Sequence, residues 1–277
     1  MRKIELIIAI AVLAVSALAV FDAPPPDIPA MAMADITPAI GPGPTSLFYR
    51  GGISAGSGYL RSFNYADFDQ LSAWASVPVD KIGRFSAVVG NFAVEELSTE
   101  TSLSLGYTRS VFSDIHTELD VAVRGGFYSL SFGKSIGGRD LGSGAGFALD
   151  MATEAVVYGR TRVAIVAENL TATNMGIEGD IELPRAVSAK VAYSPYTTTD
   201  MLFHIRREAD VGYCYGVGVS FSPHEIVTFR LGAVTNPDRV TAGIGLKYNI
   251  VRFDYALKSH PALPLSHAFG IGIDIER

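Results

Sequence analysis

Gly52-Ile-Ser54-Ala-Gly56 has the G-x-S-x-G spacing that presents a serine nucleophile on a strained turn between a strand and a helix. That chemistry also needs a helix after the turn and a histidine within reach of the serine. Ser57-Gly-Tyr-Leu-Arg61 begins no helix, and only His204 and His267 fall on strand-like runs, neither with a serine partner. His260 and His267 flank Pro261-Ala-Leu-Pro264, but no acidic residue or cysteine nearby completes a metal set. His224-Glu225 lacks the second histidine of H-E-x-x-H, and the single cysteine, Cys214, excludes an internal disulfide. Asn169-Leu-Thr171 is a formal glycosylation sequon without weight in a chain of bacterial character. No catalytic, cofactor or metal residues are therefore assigned, and the chain is expected not to be an enzyme. An acyl hydrolase centred on Ser54 is kept as a third reading.

The charged residues carry more. Asp120, Arg124, Asp150, Arg162, Glu168, Lys190, His204, Arg206, Arg230, Lys247, Arg252, Asp254 and Lys258 all fall on the polar parity of alternating runs. Both signs are interspersed among facing glycines and serines, which suits a partly filled lumen with structural ion pairs better than a wide aqueous pore. A substrate path is the alternative. Acidic residues gather instead in expected outer loops, as Glu95, Glu96, Glu100, Glu178, Asp180 and Glu182.

These charges need elements to position them. Val240 to Ile250 is apolar at the even positions and small or polar at most odd ones, and Tyr213, Tyr215, Val217, Val219 and Phe221 alternate with Cys214, Gly216, Gly218, Ser220 and Ser222. Period two is the signature of a strand with one apolar and one polar face. Alternation and turn residues predict strands over 50–63, 68–79, 82–93, 99–111, 116–132, 143–158, 161–170, 184–194, 199–208, 212–222, 225–235, 239–249, 251–259 and 266–276. Residues 46–277 then allow about sixteen or seventeen residues per strand and turn, enough for a tilted membrane strand of roughly 9–11 residues. Short connections (79–81, 159–160, 222–225 and 249–250) interleave with longer ones (94–98, 133–142, 171–183 and 260–265), as in an outer-membrane barrel with short periplasmic turns and long outer loops. The fold class is thus all-β, a transmembrane antiparallel barrel of about 14 strands.

Composition agrees. Apolar residues make up 48% and charged residues 18% of the 277, and the mean hydropathy is positive. A net charge of −6 without clustered Lys and Arg excludes nucleic acid as a partner. Arg2 and Lys3, the apolar run from Leu6 to Val15 and Ala17-Leu-Ala19 read as a signal peptide over 1–19, with an uncleaved anchor as the alternative. Seven of the fourteen prolines (Pro24, Pro25, Pro26, Pro29, Pro38, Pro42 and Pro44) mark 20–45 as an extended linker, and the barrel follows over 46–277.

Asn169-Leu-Thr, Glu182-Leu-Pro184, Asp254-Tyr-Ala256, His260-Pro261 and Ser266-His267 before Phe269-Gly-Ile-Gly272 resemble the PorV/PorQ family, relatives of the FadL-type outer-membrane transporters, as does Thr99-Glu-Thr-Ser-Leu-Ser-Leu-Gly-Tyr107. The resemblance spans about residues 46–277 and implies a fourteen-stranded barrel. It also implies a role in export or surface attachment of secreted proteins, with those proteins or other export components as partners beside outer-membrane lipid. Two features depart from the family: the proline-rich segment stands where an N-P-A-G-L hatch is usual, and the chain ends Ile273-Asp-Ile-Glu-Arg277 without a terminal aromatic. The leading reading is a non-enzymatic outer-membrane barrel of this kind. The alternative is FadL-like passage of hydrophobic small molecules, which needs a continuous apolar path inside the barrel, lined by Trp74, Tyr128 and Phe132 where they face inward, or a lateral opening in its wall.

Overall fold

The computed structural model describes residues 21, 25–36, 43–64, 68–94, 97–133, 142–175, 181–209 and 211–275. Its strands are β1 (Ile53–Arg61), β2 (Phe68–Val79), β3 (Gly83–Val94), β4 (Ser98–Ser113), β5 (Thr117–Phe132), β6 (Ser143–Val157) and β7 (Thr161–Glu168). They continue as β8 (Ala186–Tyr196), β9 (Thr199–Glu208), β10 (Gly212–His224), β11 (Val227–Val234), β12 (Arg239–Tyr248), β13 (Val251–Lys258) and β14 (Ser266–Ile275). Each pairs antiparallel with its sequence neighbour, and β1 closes on β14 over Ile53↔Ile275 to Arg61↔His267. The result is a closed barrel of 14 strands whose bounds fall within three residues of the sequence reading. Closure leaves no strand edge, which is what a sheet in hydrocarbon requires.

The alternation sorts the residues cleanly. Along β12, Val240 is 63% exposed, whereas Thr241 is 1% exposed. Outward positions such as Leu105, Phe147, Ile165, Phe203, Phe229, Phe253 and Ile271 surround the barrel with exposed apolar side chains. So continuous an apolar surface is far larger than water tolerates on a monomer, and it matches a lipid-facing band. Tyr158, Tyr196 and Tyr248 are exposed beside the short turns, and Tyr213 and Tyr215 near the opposite end, as interfacial aromatic girdles would be. Pro78, Pro195 and Pro223 are each the last residue but one of a strand, where a missing N–H disturbs the ladder least.

The proline-rich segment departs from the extended linker expected of it. Its described parts fold inside the barrel, with one helical turn, α1 (Ile28–Met31), capped by the Asp27 side chain at Ala30 N. Proline near the helix start costs no internal hydrogen bond. The described residues between 21 and 50 meet inward-facing residues of every strand, a geometry available only from within the lumen. The signal-sequence reading over 1–19 lies outside the described residues.

Candidate functional site

The plug seats on residues that lack side chains. Ideal β-carbons on Gly218 and Gly232 would come 2.9 Å from Met33 Cβ and 2.4 Å from Ala34 N, and on Gly243 and Gly270 2.5 Å from Ala32 Cβ and 2.9 Å from Ile28 Cγ1. Ala256 and Ala268 complete this floor under Ile28, Met31 and Ala32. Small residues on one strand face thus make a socket, and apolar plug residues fill it. Polar contacts fix the segment's register. The Ser72 hydroxyl donates to Pro26 O at 2.9 Å, Ala34 N donates to Thr241 Oγ1 at 3.0 Å, and the same hydroxyl donates to Ala32 O at 3.1 Å. Lys258 Nζ lies 2.6 Å from Asp35 Oδ2. Beyond the undescribed residues 37–42, the Thr45 hydroxyl donates to Asp27 Oδ2 at 2.8 Å, so one carboxylate gathers both sides of that gap. Burial pushes the Asp27 carboxyl above the usual carboxylate range, against the opposing pull of its hydrogen bonds from Thr45 and Ala30.

The second half of the plug rests on β5 to β7. Leu47 and Phe48 cluster with Ala122, Ala152, Ala164 and Val166, and Thr108 Oγ1 donates to Leu47 O at 2.7 Å. Arg50 then pairs with Asp120 at 2.7 Å and with Glu118. Arg84, buried on β3, donates to Ser76 Oγ at 2.8 Å and to the carbonyls of Gly51 and Gly52, with its guanidinium over the Tyr49 ring.

Most of the charges singled out from sequence occupy inward positions in ion-pair groups. Arg124 Nε meets Asp150 Oδ2 at 2.8 Å, while Asp150 Oδ1 accepts from Asn169 N at 2.8 Å. Arg206 joins Glu168 and Glu208, with Lys190 in the field of Glu168. Asp254 lies between Arg230 at 2.9 Å and Arg252 at 2.7 Å, and Arg252 reaches Asp274 at 3.1 Å. Lys247 stands opposite Arg252 in register. Arg162 Nη1 is 3.8 Å from Glu154 Oε1. Sequence reasoning missed Glu154 and Asp274 although both share the parity of assigned neighbours, and it missed the plug's Asp27, Asp35 and Arg50. Glu154 is wholly buried, and neither carboxylate oxygen accepts a hydrogen bond among the described residues.

At the long-loop end the lumen turns apolar. Leu130, Ala148, Met175 and Leu183 form a buried cluster that Phe21, Tyr128, Phe132 and Ile181 join from its margin. Phe21 meets the Tyr128 ring edge-on at 5.1 Å, and its N–H donates to Glu100. The connection after β7 folds inward to supply Met175 and Leu183, held by Asn169, whose Nδ2 donates to Leu183 O at 2.7 Å and whose Oδ1 accepts from Thr173 N at 3.2 Å. The formal sequon is thus a loop clamp. Trp74 also faces inward, close over Gly56 and within the wall of a small cavity against α1. Glu95, Glu96, Glu178 and Asp180 lie outside the described residues.

The remaining motifs make no reaction centre. Ser54 lies within β1, opposite Ser76 and Asp274, and its fully buried hydroxyl has no hydrogen-bond partner among the described residues. His204 has Cys214 Sγ 3.9 Å from its Nε2, and His267 Nδ1 lies 2.9 Å from the Tyr255 hydroxyl. His260 accepts from two backbone amides of its own loop, and burial, with Arg239 and Lys258 nearby, holds its imidazole below the usual range. His224 Nδ1 accepts from Ile226 N in the tight turn it occupies. Among the described residues no group of three or more His, Cys, Asp or Glu is arranged to hold a metal.

No family model and no curated protein matches the chain. Solved structures do. The CymD monoaromatic hydrocarbon channel superposes with a TM-score of 0.65 at 12% identity, covering 91% of this chain and 98% of that one. The chain shares the fold of that channel. The Pseudomonas putida toluene transporter TodX gives 0.57 at 10% identity over 91% and 99% of the two chains. The Acinetobacter baumannii outer membrane protein Omp33 gives 0.53 at 8% identity over 81% and 98%. At such identities the likeness establishes the 14-strand FadL-like fold.

Proposed function

We propose that the chain is an outer-membrane passage for hydrophobic small molecules in a Gram-negative-type cell, exported by the signal peptide read over 1–19. The observation that carries this reading is the pairing of a stoppered lumen with an apolar mouth. A folded segment touching every strand denies ions a wide aqueous route, while Phe21, Tyr128, Phe132 and Ile181, packed over buried Leu130 and Met175, offer apolar surface at the outer end. The fold likeness to hydrocarbon channels supports the same reading. The lumen charges serve this reading as the polar wall that anchors the plug, not as groups that react.

The test is uptake of a hydrophobic dye into proteoliposomes. Wild type is expected to raise the rate over protein-free vesicles, and Leu130→Glu, which places a charge in the mouth, to return it to background without raising ion conductance. Wild-type uptake at the protein-free rate would end the proposal.

Export assistance of the PorV/PorQ kind is the second reading. It rests on Asn169-Leu-Thr and Glu182-Leu-Pro184, which bracket the loop that folds over the mouth. Co-purification of one secreted protein, lost when residues 170–182 are replaced, would favour it.

A further inference from the structure

The lipid-facing wall carries two arginines that the lumen network does not use. On β9, Leu202 and His204 are buried towards the lumen while Met201 and Phe203 are exposed outside, so Arg207 falls on the outward parity, and it too is exposed. Its neighbour Arg206 falls on the inward one and pairs there with Glu168 and Glu208. Both register partners of Arg207, Val187 on β8 and Tyr213 on β10, are exposed on the same outer face. Arg185 stands just before β8, exposed and on the parity of Val187. The Ala209 N–H donates to its carbonyl at 3.1 Å, which carries the β8–β9 pairing on past Ala186 opposite Glu208. Arg185 and Arg207 are therefore diagonal neighbours across the ladder, a relation that places residues roughly 7–8 Å apart and lets long side chains meet.

Among the described residues neither guanidinium has a carboxylate partner. Arg61 is the contrast. It shares the outward parity of Ile53 at the same long-loop end of the barrel, but it lies 3.6 Å from Asp69 and donates to the Tyr59 hydroxyl. Arg207 instead lies over the Tyr213 ring, 5.7 Å from its centroid, at the depth of the aromatic girdle. A guanidinium seated on a ring face still presents its N–H edge to an anion. Long basic side chains on a lipid-facing wall reach for the headgroup layer, because their charge is costly in hydrocarbon. Two that converge without a protein carboxylate between them match the oxygens of a phosphate, which accept charge-assisted and bidentate hydrogen bonds. A zwitterionic headgroup covers its phosphate with its own cation, whereas a phosphate monoester leaves the oxygens open.

We propose that Arg185 and Arg207 together hold the phosphate monoester of one lipid in the leaflet on the long-loop side, its acyl chains lying along Val187, Phe203 and Tyr213. The proposal rests on the barrel spanning a membrane and is independent of what passes through the lumen. Native mass spectrometry of the full barrel in detergent tests it, with dioleoylphosphatidic acid and dioleoylphosphatidylcholine as probes. Wild type should retain one phosphatidic acid in preference to phosphatidylcholine by about 25-fold, which is about fivefold for each basic residue at an anionic surface. Arg185→Gln and Arg207→Gln should each remove about fivefold of that preference. The double variant should show none while keeping the heat-modifiable mobility of a folded barrel. Arg61→Gln removes one outward charge from the same end and should leave the preference as it is. Equal retention of the two lipids by wild type overturns the proposal. A loss in Arg61→Gln as large as that in Arg207→Gln overturns it too, because net charge alone would then account for the preference.

Discussion

Buried charges in the lumen differ by how many partners they keep. Asp254 accepts from two arginines, so Asp254→Ala takes the counter-charge from Arg230 in a poorly solvated wall and leaves Arg252 to Asp274. Breaking a buried pair in this way typically costs about 3–5 kcal/mol. Glu154 has two oxygens without hydrogen bonds and one arginine at 3.8 Å, so its desolvation is poorly compensated. Glu154→Met is therefore expected to raise the thermal midpoint in detergent while Asp254→Ala lowers it. A fall in both would show that Glu154 is satisfied by a partner the ion-pair geometry does not reveal. Asp27 makes stability depend on pH. Its carboxyl is raised by burial, so the folded state holds the proton more tightly than the unfolded chain. The associated stability is complete below the ordinary value of about 3.9 and is lost as pH rises through the folded pKa. The midpoint of wild type is expected to gain on that of Asp27→Asn as pH falls from 7 towards 4, and a constant difference would refute the shift. Residue parity alone marked Asp254 and Arg230, because inward positions repeat every second residue. It could not supply their partners, which depend on strand register, nor Asp27, which lies where no periodicity exists.

At the scale of elements, the strands and the plug obey different rules. A membrane strand must alternate, so β2 and β9 were legible to the residue from parity and turn chemistry. The plug has no such constraint: α1 is a single turn shaped by Asp27, Pro29 and its socket, and an alanine- and proline-rich stretch reads equally well as linker. Its complement was visible only as unexplained glycine. Gly218, Gly232, Gly243 and Gly270 lie on the inward parity of four strands, and their common purpose emerges once Ile28, Ala32 and Met33 stand over them. Adding volume there should act on the plug before the wall. Gly232→Val puts a β-carbon where Ala34 N and Met33 C now sit, yet leaves the β11 ladder intact. The variant is expected to keep the heat-modifiable mobility of a folded barrel and to show raised single-channel conductance in planar bilayers. Wild-type conductance would mean that the segment tolerates the side chain by a local shift.

For the whole molecule, the question is how a barrel of this width is closed. Eight strands leave a lumen that side chains fill, whereas sixteen or more leave an aqueous channel. Fourteen strands fall between, and here the remaining space is taken by the chain's own N-terminal residues. The wall does not depend on them for its hydrogen bonds, because each strand is paired on both sides around the closed ring. The plug therefore contributes closure and buried apolar contacts, and removing it should cost stability without loss of fold. Deletion of residues 21–45 exposes the socket glycines, the Thr241 hydroxyl and Lys258 to water, all of which solvent can satisfy. Arg50 and Arg84 stay with the barrel and keep the pairs with Asp120 and Ser76 that fasten the start of β1. The truncated protein is expected to retain its strand circular dichroism, unfold at a lower temperature and conduct ions steadily. Its hydrophobic dye uptake should lose dependence on Leu130, because material would then bypass the apolar mouth through an open lumen. Steady conductance in the intact protein equal to that of the truncated form would show that the segment does not stopper the barrel in a bilayer.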